Sequence, residues 1–296
     1  MNPSVGTHLP HTKGMTITEI IMSLDNRVEG YRIPFFQIYL GDRTGGGLVP
    51  FEKEDVQEAL EIIGKRGFFI HSGLSNYLSN QRNYRHYVKK RILTELRQVK
   101  LFPLSGVVIH PGTMNMGGVK FELNETLDLI VSTISDIYKD GNDDLGLLFL
   151  ENAAGEGYKV FKNIDEMKYV IKKLEHIRDK NGNHISRNIR ICIDTCHLFA
   201  AGAYDLSKTK EIRKFKKDFD REIGLNYLKL IHLNDSKYEF GCRKDFHENV
   251  GMGKIWKSPR ILKVLFQEFP GVPYICETRN FSDSMNFIER AKRLLH

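Results

Sequence analysis

The sequence predicts an α/β protein with a TIM-type (β/α)8 barrel, formed as a single domain by residues 1–296. Eight short apolar runs recur along the chain, amphipathic stretches separate them, and no Pro- or Ser-rich linker interrupts the series. Continuous apolar runs are typical of parallel strands that are buried on both faces. Strands that alternate with helices imply right-handed crossovers, and eight such units close into a barrel.

The strands and helices can be placed in order along the chain. The eight runs are rich in β-branched and aromatic residues and cover residues 4–8, 34–39, 67–71, 106–110, 146–151, 189–194, 227–232 and 273–277. Between them, apolar residues follow the spacing of one helix face. We expect helices over residues 56–65, 85–100, 124–139, 164–180, 208–223 and 283–295.

Composition restricts the class of protein without identifying it. The net charge of +7 favours an anionic partner such as nucleic acid, although charge alone does not decide this. No apolar run approaches the roughly 18 residues of a membrane helix, and the first ten residues lack a signal pattern. We therefore expect an intracellular protein, cytoplasmic or nuclear, that is not secreted and has no membrane partner. The four cysteines form no CxxC pair, which excludes a zinc ribbon.

Polar side chains stand at the ends of seven of the eight apolar runs. The C-terminal strand ends of a TIM-type barrel surround its active site, so these side chains should converge on one mouth. Carboxylates and imidazoles gathered there would be costly to desolvate without a cation. The sequence therefore predicts a metal centre formed from these residues: His8, His71, His110, Glu151, Asp194, His232 and Glu277.

Two further groups extend this set. His197 follows the strand-end Asp194 by three residues, so both can face the mouth while serving different ions. Asp245 and His247 flank Phe246, and in an extended segment their side chains point the same way and can chelate one ion. Imidazole and carboxylate donors without cysteine suit zinc, and also manganese or iron.

Five strings in the sequence form a recognisable pattern, and two of them, Asp-Thr-Cys-His and His-Leu-Asn-Asp-Ser-Lys, are highly specific. Residues 109–112 read Ile-His-Pro-Gly and residues 150–157 read Leu-Glu-Asn-Ala-Ala-Gly-Glu-Gly. Residues 193–202 begin Ile-Asp-Thr-Cys-His, residues 231–237 read Ile-His-Leu-Asn-Asp-Ser-Lys, and residues 276–278 read Cys-Glu-Thr. In these segments the sequence resembles the endonuclease IV family of apurinic/apyrimidinic (AP) endonucleases, and the match runs in order from His8 to Glu277, over nearly the whole chain.

The resemblance implies three zinc ions per chain and assigns the donors to each. His71 and His110 would bind the first ion, and Glu151 would bridge it to the second. Asp194, His232 and Glu277 would complete the ligands of the second ion, and His197, Asp245 and His247 would hold the third ion. Glu151 and Glu277 would be the catalytic residues. His8 matches a histidine that is not a ligand, so it would lie beside the ligands and support them.

The resemblance also implies a reaction and a partner. The substrate would be double-stranded DNA that contains an abasic site, cut on the 5′ side by a monomer to leave a 3′-hydroxyl and a 5′-deoxyribose phosphate, with removal of 3′-blocking groups as a companion activity. The chain departs from the family where it has Phe246 in place of a basic residue and Leu74 in place of an aromatic wedge. The candidate DNA contacts are Arg43, Leu74, Lys237, Arg243 and Lys244.

Two other functions remain open from the residues themselves. A sugar isomerase or epimerase on the same barrel would need one metal ion, which Glu151, Asp194, His232 and Glu277 alone could hold. Such an enzyme has no need of the remaining histidines and the Asp245/His247 pair. A lesion-binding protein without catalysis is the second alternative, but a pure binder has no reason to keep a complete ligand set.

Overall fold

The computed structural model describes residues 2–9, 12, 14–24, 30–80, 82–116, 118–140, 145–278 and 280–295. Eight parallel strands close into a barrel in which each strand pairs with its neighbours in chain order, and β1 closes the ring against β8. The strands are β1 Val5–Leu9, β2 Phe35–Tyr39, β3 Gly67–His71, β4 Gly106–Ile109, β5 Leu147–Glu151, β6 Ile189–Asp194, β7 Leu228–His232 and β8 Tyr274–Cys276. The predicted TIM-type barrel is confirmed.

Helices surround the barrel and bury their apolar faces against it. They are α1 Ile17–Leu24, α2 Lys53–Ile63, α3 Arg82–Lys100, α4 Leu123–Asp140, α5 Ile164–Glu175, α6 Thr195–Ala200, α7 Thr209–Glu222, α8 Pro259–Glu268 and α9 Phe281–Arg293. The sequence analysis placed no helix at α1, α6 or α8. None of the described helices combines the length and the apolar character that a membrane crossing requires.

The helix expected over residues 164–180 is shorter in the structure. It ends at Glu175, after which the backbone N–H of His176 bonds back to Lys173. The chain then reverses, because Gly182 adopts a positive φ of 79° and Ile185 donates to the carbonyl of Ile177. The two arms of this reversal pair at Arg178 and His184, so residues 177–185 form a turn in place of further helical turns. The prediction of residues 176–180 as helix was wrong.

The barrel interior has an apolar floor directly beneath the polar strand ends. Its side chains come from positions two residues before the strand-end His, Asp or Glu, and all are buried: Phe69, Val108, Phe149, Cys192, Leu230 and Ile275. Alternate residues of a strand face the same side, so the strand-end side chains must also point into the barrel. The floor therefore places the polar groups together at the mouth and keeps water from reaching them from below.

Candidate metal centre

The structure brings all nine predicted donor side chains together at the mouth, in five overlapping groups of candidate metal donors among the described residues, three of which are considered first. Within each group, one ligand atom per residue lies within 4.8 Å of the others. The first group is His71, His110 and Glu151; the second is Glu151, Asp194, His232 and Glu277; the third is His197, Asp245 and His247. These are the same sets that the resemblance implies for three ions.

Glu151 lies between the first and second groups and turns one oxygen toward each. Its Oε2 is 3.0 Å from Nε2 of His71 and 3.7 Å from Nε2 of His110. Its Oε1 is 3.0 Å from Nδ1 of His232, which in turn is 3.2 Å from Oε2 of Glu277. The carboxylate is fully buried at the end of β5. A single side chain can therefore serve two cation sites at once.

The third group joins helix α6 to the loop after β7. Nε2 of His197 lies 3.0 Å from Oδ1 of Asp245, and Nε2 of His247 lies 3.1 Å from the same oxygen. The two imidazole nitrogens are 3.4 Å apart. Three donor atoms thus converge at the open side of the mouth, next to Asp194, whose Oδ2 is 3.5 Å from His247.

The three-residue spacing between Asp194 and His197 results from a helix cap. Asp194 is the N-cap of α6, and its Oδ1 accepts the backbone N–H of His197 at 2.8 Å. This bond satisfies one of the free donors of the first helical turn. The other oxygen of Asp194 is left to face the metal donors, while the first turn presents His197 to the third group.

Two of the histidines have one ring nitrogen engaged, which directs the other toward the donor groups. Nδ1 of His71 lies 2.8 Å from the carbonyl oxygen of Ser72, and Nδ1 of His197 lies 2.9 Å from that of Asn152. A carbonyl can only accept, so each Nδ1 carries a proton, and each Nε2 is the nitrogen that can bind a metal ion once it has lost its own proton. Hydrogen bonds of this kind hold the tautomer and the orientation of metal-binding histidines.

Gln37 lies among the donor side chains although it was not predicted as a site residue. It is fully buried on β2, and its Oε1 accepts from Nε2 of His232 at 3.0 Å. Its amide nitrogen lies 2.8 Å from Oε1 of Glu277 and 2.8 Å from Nδ1 of His8. The second apolar run was considered to end at Tyr39, but alternation from the inward Phe35 would have identified Gln37 as the residue that faces the mouth.

Two asparagines and one aspartate near the ligands were also missed. Asn234 donates to Oδ2 of Asp194 at 2.5 Å and accepts the backbone N–H of Glu277 at 2.9 Å. Asn152 accepts the backbone N–H of Asp194 at 2.6 Å. Asp235 gathers backbone N–H groups of residues 251–256, including Ile255 at 2.8 Å, and so fixes the loop that carries the third group. These three residues could have been found from the sequence, because each stands close to a predicted ligand in one of the strings quoted above.

The donor set fits zinc. Atoms bound at 2.0–2.1 Å to a tetrahedral ion are separated by roughly 3.3 Å, and most donor separations quoted above lie near that value. Among the described residues, His110 Nδ1 and His8 Nε2 are buried without a hydrogen-bond partner. No cysteine belongs to the three implied groups, although Cys196 lies near Asp194 and His247. Its thiol is buried, and burial raises its pKa.

Charged neighbours within the cluster shift the pKa of several side chains in the direction opposite to the effect of burial. Burial alone would raise the pKa of Glu151, but His110 and His232 hold it well below its usual range. Burial would lower the pKa of His247, but Asp194 and Asp245 raise it to about 9. Burial dominates for His110 and lowers its pKa to about 3. In the absence of cations, the protonated histidines therefore balance the buried carboxylates.

The remaining predicted residues lie around the mouth. His8 is buried beside the cluster, with Nδ1 3.5 Å from Oε1 of Glu277, and it is not a member of the three donor groups. Burial lowers its pKa to about 3. The candidate DNA contacts are half-buried in one case, Leu74, and exposed in the others: Arg43, Lys237, Arg243 and Lys244. Their contact with DNA stays a prediction.

Replacing Gln37 by Leu should weaken metal binding by about 10- to 100-fold, because His232 and Glu277 lose the amide that orients them. The metal retained after dialysis against graded chelator concentrations measures this effect. Gln98→Leu is the matched control, since Gln98 accepts the backbone N–H of Phe51, far from the site. Equal retention by both variants would refute the role assigned to Gln37.

The fold and the cluster of donors at the strand ends place the protein in the class of xylose isomerase-like barrels. A family profile described as "Xylose isomerase-like TIM barrel" matches residues 32–295. The chain is 30% identical over 250 residues to the "Probable endonuclease 4" of Halothermothrix orenii, covering 83% of this chain and 84% of that protein. It is 34% identical over 258 residues to the "Apurinic-apyrimidinic endonuclease" of Caenorhabditis elegans, covering 85% of this chain and 61% of that protein. The chain belongs to the endonuclease IV family.

Solved structures share the fold at lower sequence identity. Endonuclease IV from Thermus thermophilus has a TM-score of 0.74 and 22% identity, with 99% of this chain and 98% of that chain covered. A D-tagatose 3-epimerase-like protein has a TM-score of 0.69 and 18% identity, with 100% and 97% covered. Barrels with different reactions therefore share this architecture, and the residues at the strand ends must distinguish them.

Proposed function

We propose that the protein is a zinc-dependent AP endonuclease that hydrolyses the phosphodiester on the 5′ side of an abasic site in duplex DNA. The products would be a 3′-hydroxyl and a 5′-deoxyribose phosphate, and 3′-blocking groups would be removed at the same site. The observation that carries the proposal is the convergence of nine His, Asp and Glu side chains in three donor groups. Membership of the endonuclease IV family supports it.

Each donor group would hold one zinc ion. Glu151 would serve both the first and the second ion, because its two oxygens face different donor groups. When bound, zinc lowers the pKa of water to about 7 and neutralises charge on phosphate oxygens, which suits hydrolysis of a phosphodiester. During the reaction the oxygen of a water molecule bonds to phosphorus as the bond between phosphorus and the 3′ oxygen breaks. A proton from that water ends on the departing 3′ oxygen, which becomes the hydroxyl, and the phosphate stays on the abasic sugar.

The chain's own residues provide orientation and exclude bulk water. Two amides hold the Glu277 carboxylate from opposite sides. Gln37 donates to Oε1 at 2.8 Å, and Asn234 donates to Oε2 at 3.2 Å. Phe69 and Phe149 close the barrel beneath the cluster. Donors held rigidly in a site of low dielectric constant stabilise developing charge without reorganisation. An abasic nucleotide stacks poorly, so extruding it into this mouth costs less than flipping a normal nucleotide.

A sugar epimerase is the second candidate function, and two observations favour it. The second group, with Glu151, Asp194, His232 and Glu277, could hold a single ion, and the D-tagatose 3-epimerase-like protein shares the fold. A one-ion enzyme, however, gives no role to the third group, whose three donors lie at the mouth beside a loop fixed by Asp235. The nine-residue set therefore favours the nuclease.

The proposal is tested by metal analysis and a nicking assay on the same preparation. We expect about three zinc equivalents per chain, one for each donor group, and incision of a duplex that carries one tetrahydrofuran abasic analogue. An otherwise identical intact duplex serves as the control substrate. About one ion per chain, turnover of ketose sugars and an uncut abasic strand after zinc repletion would together establish the epimerase instead.

A further inference from the structure

Two loops beside the metal centre meet each other directly. Residues 40–47 follow β2 and carry Arg43, and residues 72–80 follow β3 and carry Leu74. The backbone N–H of Leu74 donates to the carbonyl of Arg43 at 2.9 Å. A Cβ atom on Gly73 would lie only 2.3 Å from Cα of Gly45, so the loops touch glycine to glycine. They form one surface, which we call the paired loops.

Arg91 of α3 lies beneath the first of the paired loops. Its side chain is 2% exposed, and its guanidinium donates to the carbonyls of Leu40 at 3.0 Å, Gly45 at 2.7 Å and Gly46 at 3.4 Å. A guanidinium can make several bonds at once because its donors are fixed in one plane. The loop is thereby anchored to an outer helix of the barrel.

The same guanidinium reaches the second of the paired loops. With the amide oriented so that its oxygen faces Arg91, Asn76 accepts from Nε of Arg91 at 2.8 Å and from the N–H of Gly73 at 3.2 Å. Nε also lies 3.1 Å from Oε1 of Glu95, one helical turn further along α3 and fully buried. Glu95 balances the charge of Arg91, which would otherwise be costly to bury.

The network borders the donor groups without including a donor: Asn76 contacts Oγ of Ser72 at 3.1 Å, and the Ser72 carbonyl accepts from Nδ1 of His71. Arg91 contacts backbone carbonyls, Asn76 and Glu95, and it belongs to none of the metal-donor groups. The tips that it supports carry an exposed cation, Arg43, and a half-buried apolar side chain, Leu74, both at the barrel mouth. An exposed cationic side chain can bind a phosphate group of DNA, and an apolar side chain can insert between two neighbouring bases.

We propose that Arg91 is a positioning residue, which holds the paired loops as one preformed surface for DNA beside the metal centre. The inference rests on the proposed function, since it assigns these loops to recognition of the DNA substrate. Preformed loops lose little conformational entropy when a ligand binds. An arginine that served stability alone would affect unfolding but not the concentration of DNA needed for half-maximal cutting.

Arg91→Lys tests the proposal, because lysine keeps the charge beside Glu95 but cannot bond both loops at once. We expect KM for abasic duplex to rise about tenfold, while kcat and zinc content stay within about twofold of the unsubstituted protein. Hydrogen–deuterium exchange should quicken in peptides from both loops. A KM within about twofold of the original, or faster exchange in only one loop, would overturn the proposal.

Two further variants keep the result interpretable. Arg85→Lys is the matched control on the same helix, because Arg85 bonds to Ser132 and Asp136 on α4 and should leave KM and loop exchange unchanged. Gly73→Ala forces the paired loops apart by a different route and should raise KM as Arg91→Lys does. It also serves as the test if Arg91→Lys does not fold. A normal KM for Gly73→Ala would count against the paired loops as a DNA surface.

Failure of this inference can be distinguished from failure of the proposed function. If the unsubstituted protein does not cut abasic DNA, the proposed function fails and the assignment of the loops to DNA fails with it. If the unsubstituted protein cuts and Arg91→Lys cuts with the same KM, only the inference fails. The exchange measurement needs no substrate, so it reports on the anchoring of the loops in either case.

Discussion

Replacing Glu277 by Gln is expected to reduce strand incision by about 10³-fold or more while abasic DNA still binds. The substitution keeps the shape of the side chain but removes one negative charge from the second donor group. The Glu277 carboxylate lies 3.2 Å from His232 and accepts from the amides of Gln37 and Asn234, and a glutamine can keep one of these two hydrogen bonds through its carbonyl oxygen. Single-turnover incision and equilibrium binding of the same abasic duplex measure the two effects separately.

Glu239→Gln is the matched control for this prediction. Glu239 lies on the loop that also carries donors of the third group, but it is exposed and pairs with Lys254. Loss of the ion pair between Glu239 and Lys254 should change the incision rate by less than about threefold, as expected for an exposed ion pair. Incision at the original rate by Glu277→Gln would show that Glu277 is not catalytic. Equal losses of binding and incision would show that it supports DNA binding or the fold instead.

The barrel could be predicted because its strands obey a simple physical rule. Strands buried on both faces must be continuously apolar, and the polar residue that ends each run marks the mouth. The helices were less certain. Helix α6 is six residues long and overlaps a specific string, so its capping role for Asp194 was not apparent. Helix α8 begins at Pro259 after the Ser258 cap, a signal that was present but not used.

The donors of the site were predictable, but the residues that hold them were not. His, Asp and Glu are conspicuous at strand ends because burying them is costly. Gln37 is uncharged and lies two residues before the end of an apolar run, so its role depends on its contacts with His232 and Glu277 across the barrel. Arg91 likewise looks like part of a basic helix until its contacts with two distant loops are known.

Removing the metal at neutral pH should abolish incision and lower the melting temperature. Three carboxylates, Glu151, Asp194 and Glu277, lie together in the second group, and burial raises the pKa of Asp194. Bound cations stabilise the folded state in proportion to their binding, because the unfolded chain lacks the preformed site. We expect a fall of roughly 5 °C or more for a chain of this size, measured by calorimetry before and after chelation.

Zinc should restore both properties, whereas magnesium at the same concentration should not, because imidazole nitrogens suit zinc and magnesium prefers oxygen ligands. Magnesium is therefore the control for a general effect of divalent cations. Incision that survives complete chelation would contradict a metal-dependent mechanism. A restored melting temperature without restored incision would separate the structural role of the ions from the catalytic one.

The pH dependence of metal loss follows from the protons that the ions must displace. Without metal, Asp194 and Asp245 raise the pKa of His247 to about 9, and carboxylates also raise the pKa of His197 and His232 against the effect of burial. A histidine with a raised pKa is protonated below that value and must lose its proton before it can bind zinc. Zinc affinity should therefore fall as the pH drops from about 9, so that the dissociation constant for zinc is larger at about pH 6 than at about pH 8. Calorimetric titration in buffers of different ionisation enthalpy should show proton release on zinc binding, and its absence would contradict the assignment of these histidines as ligands.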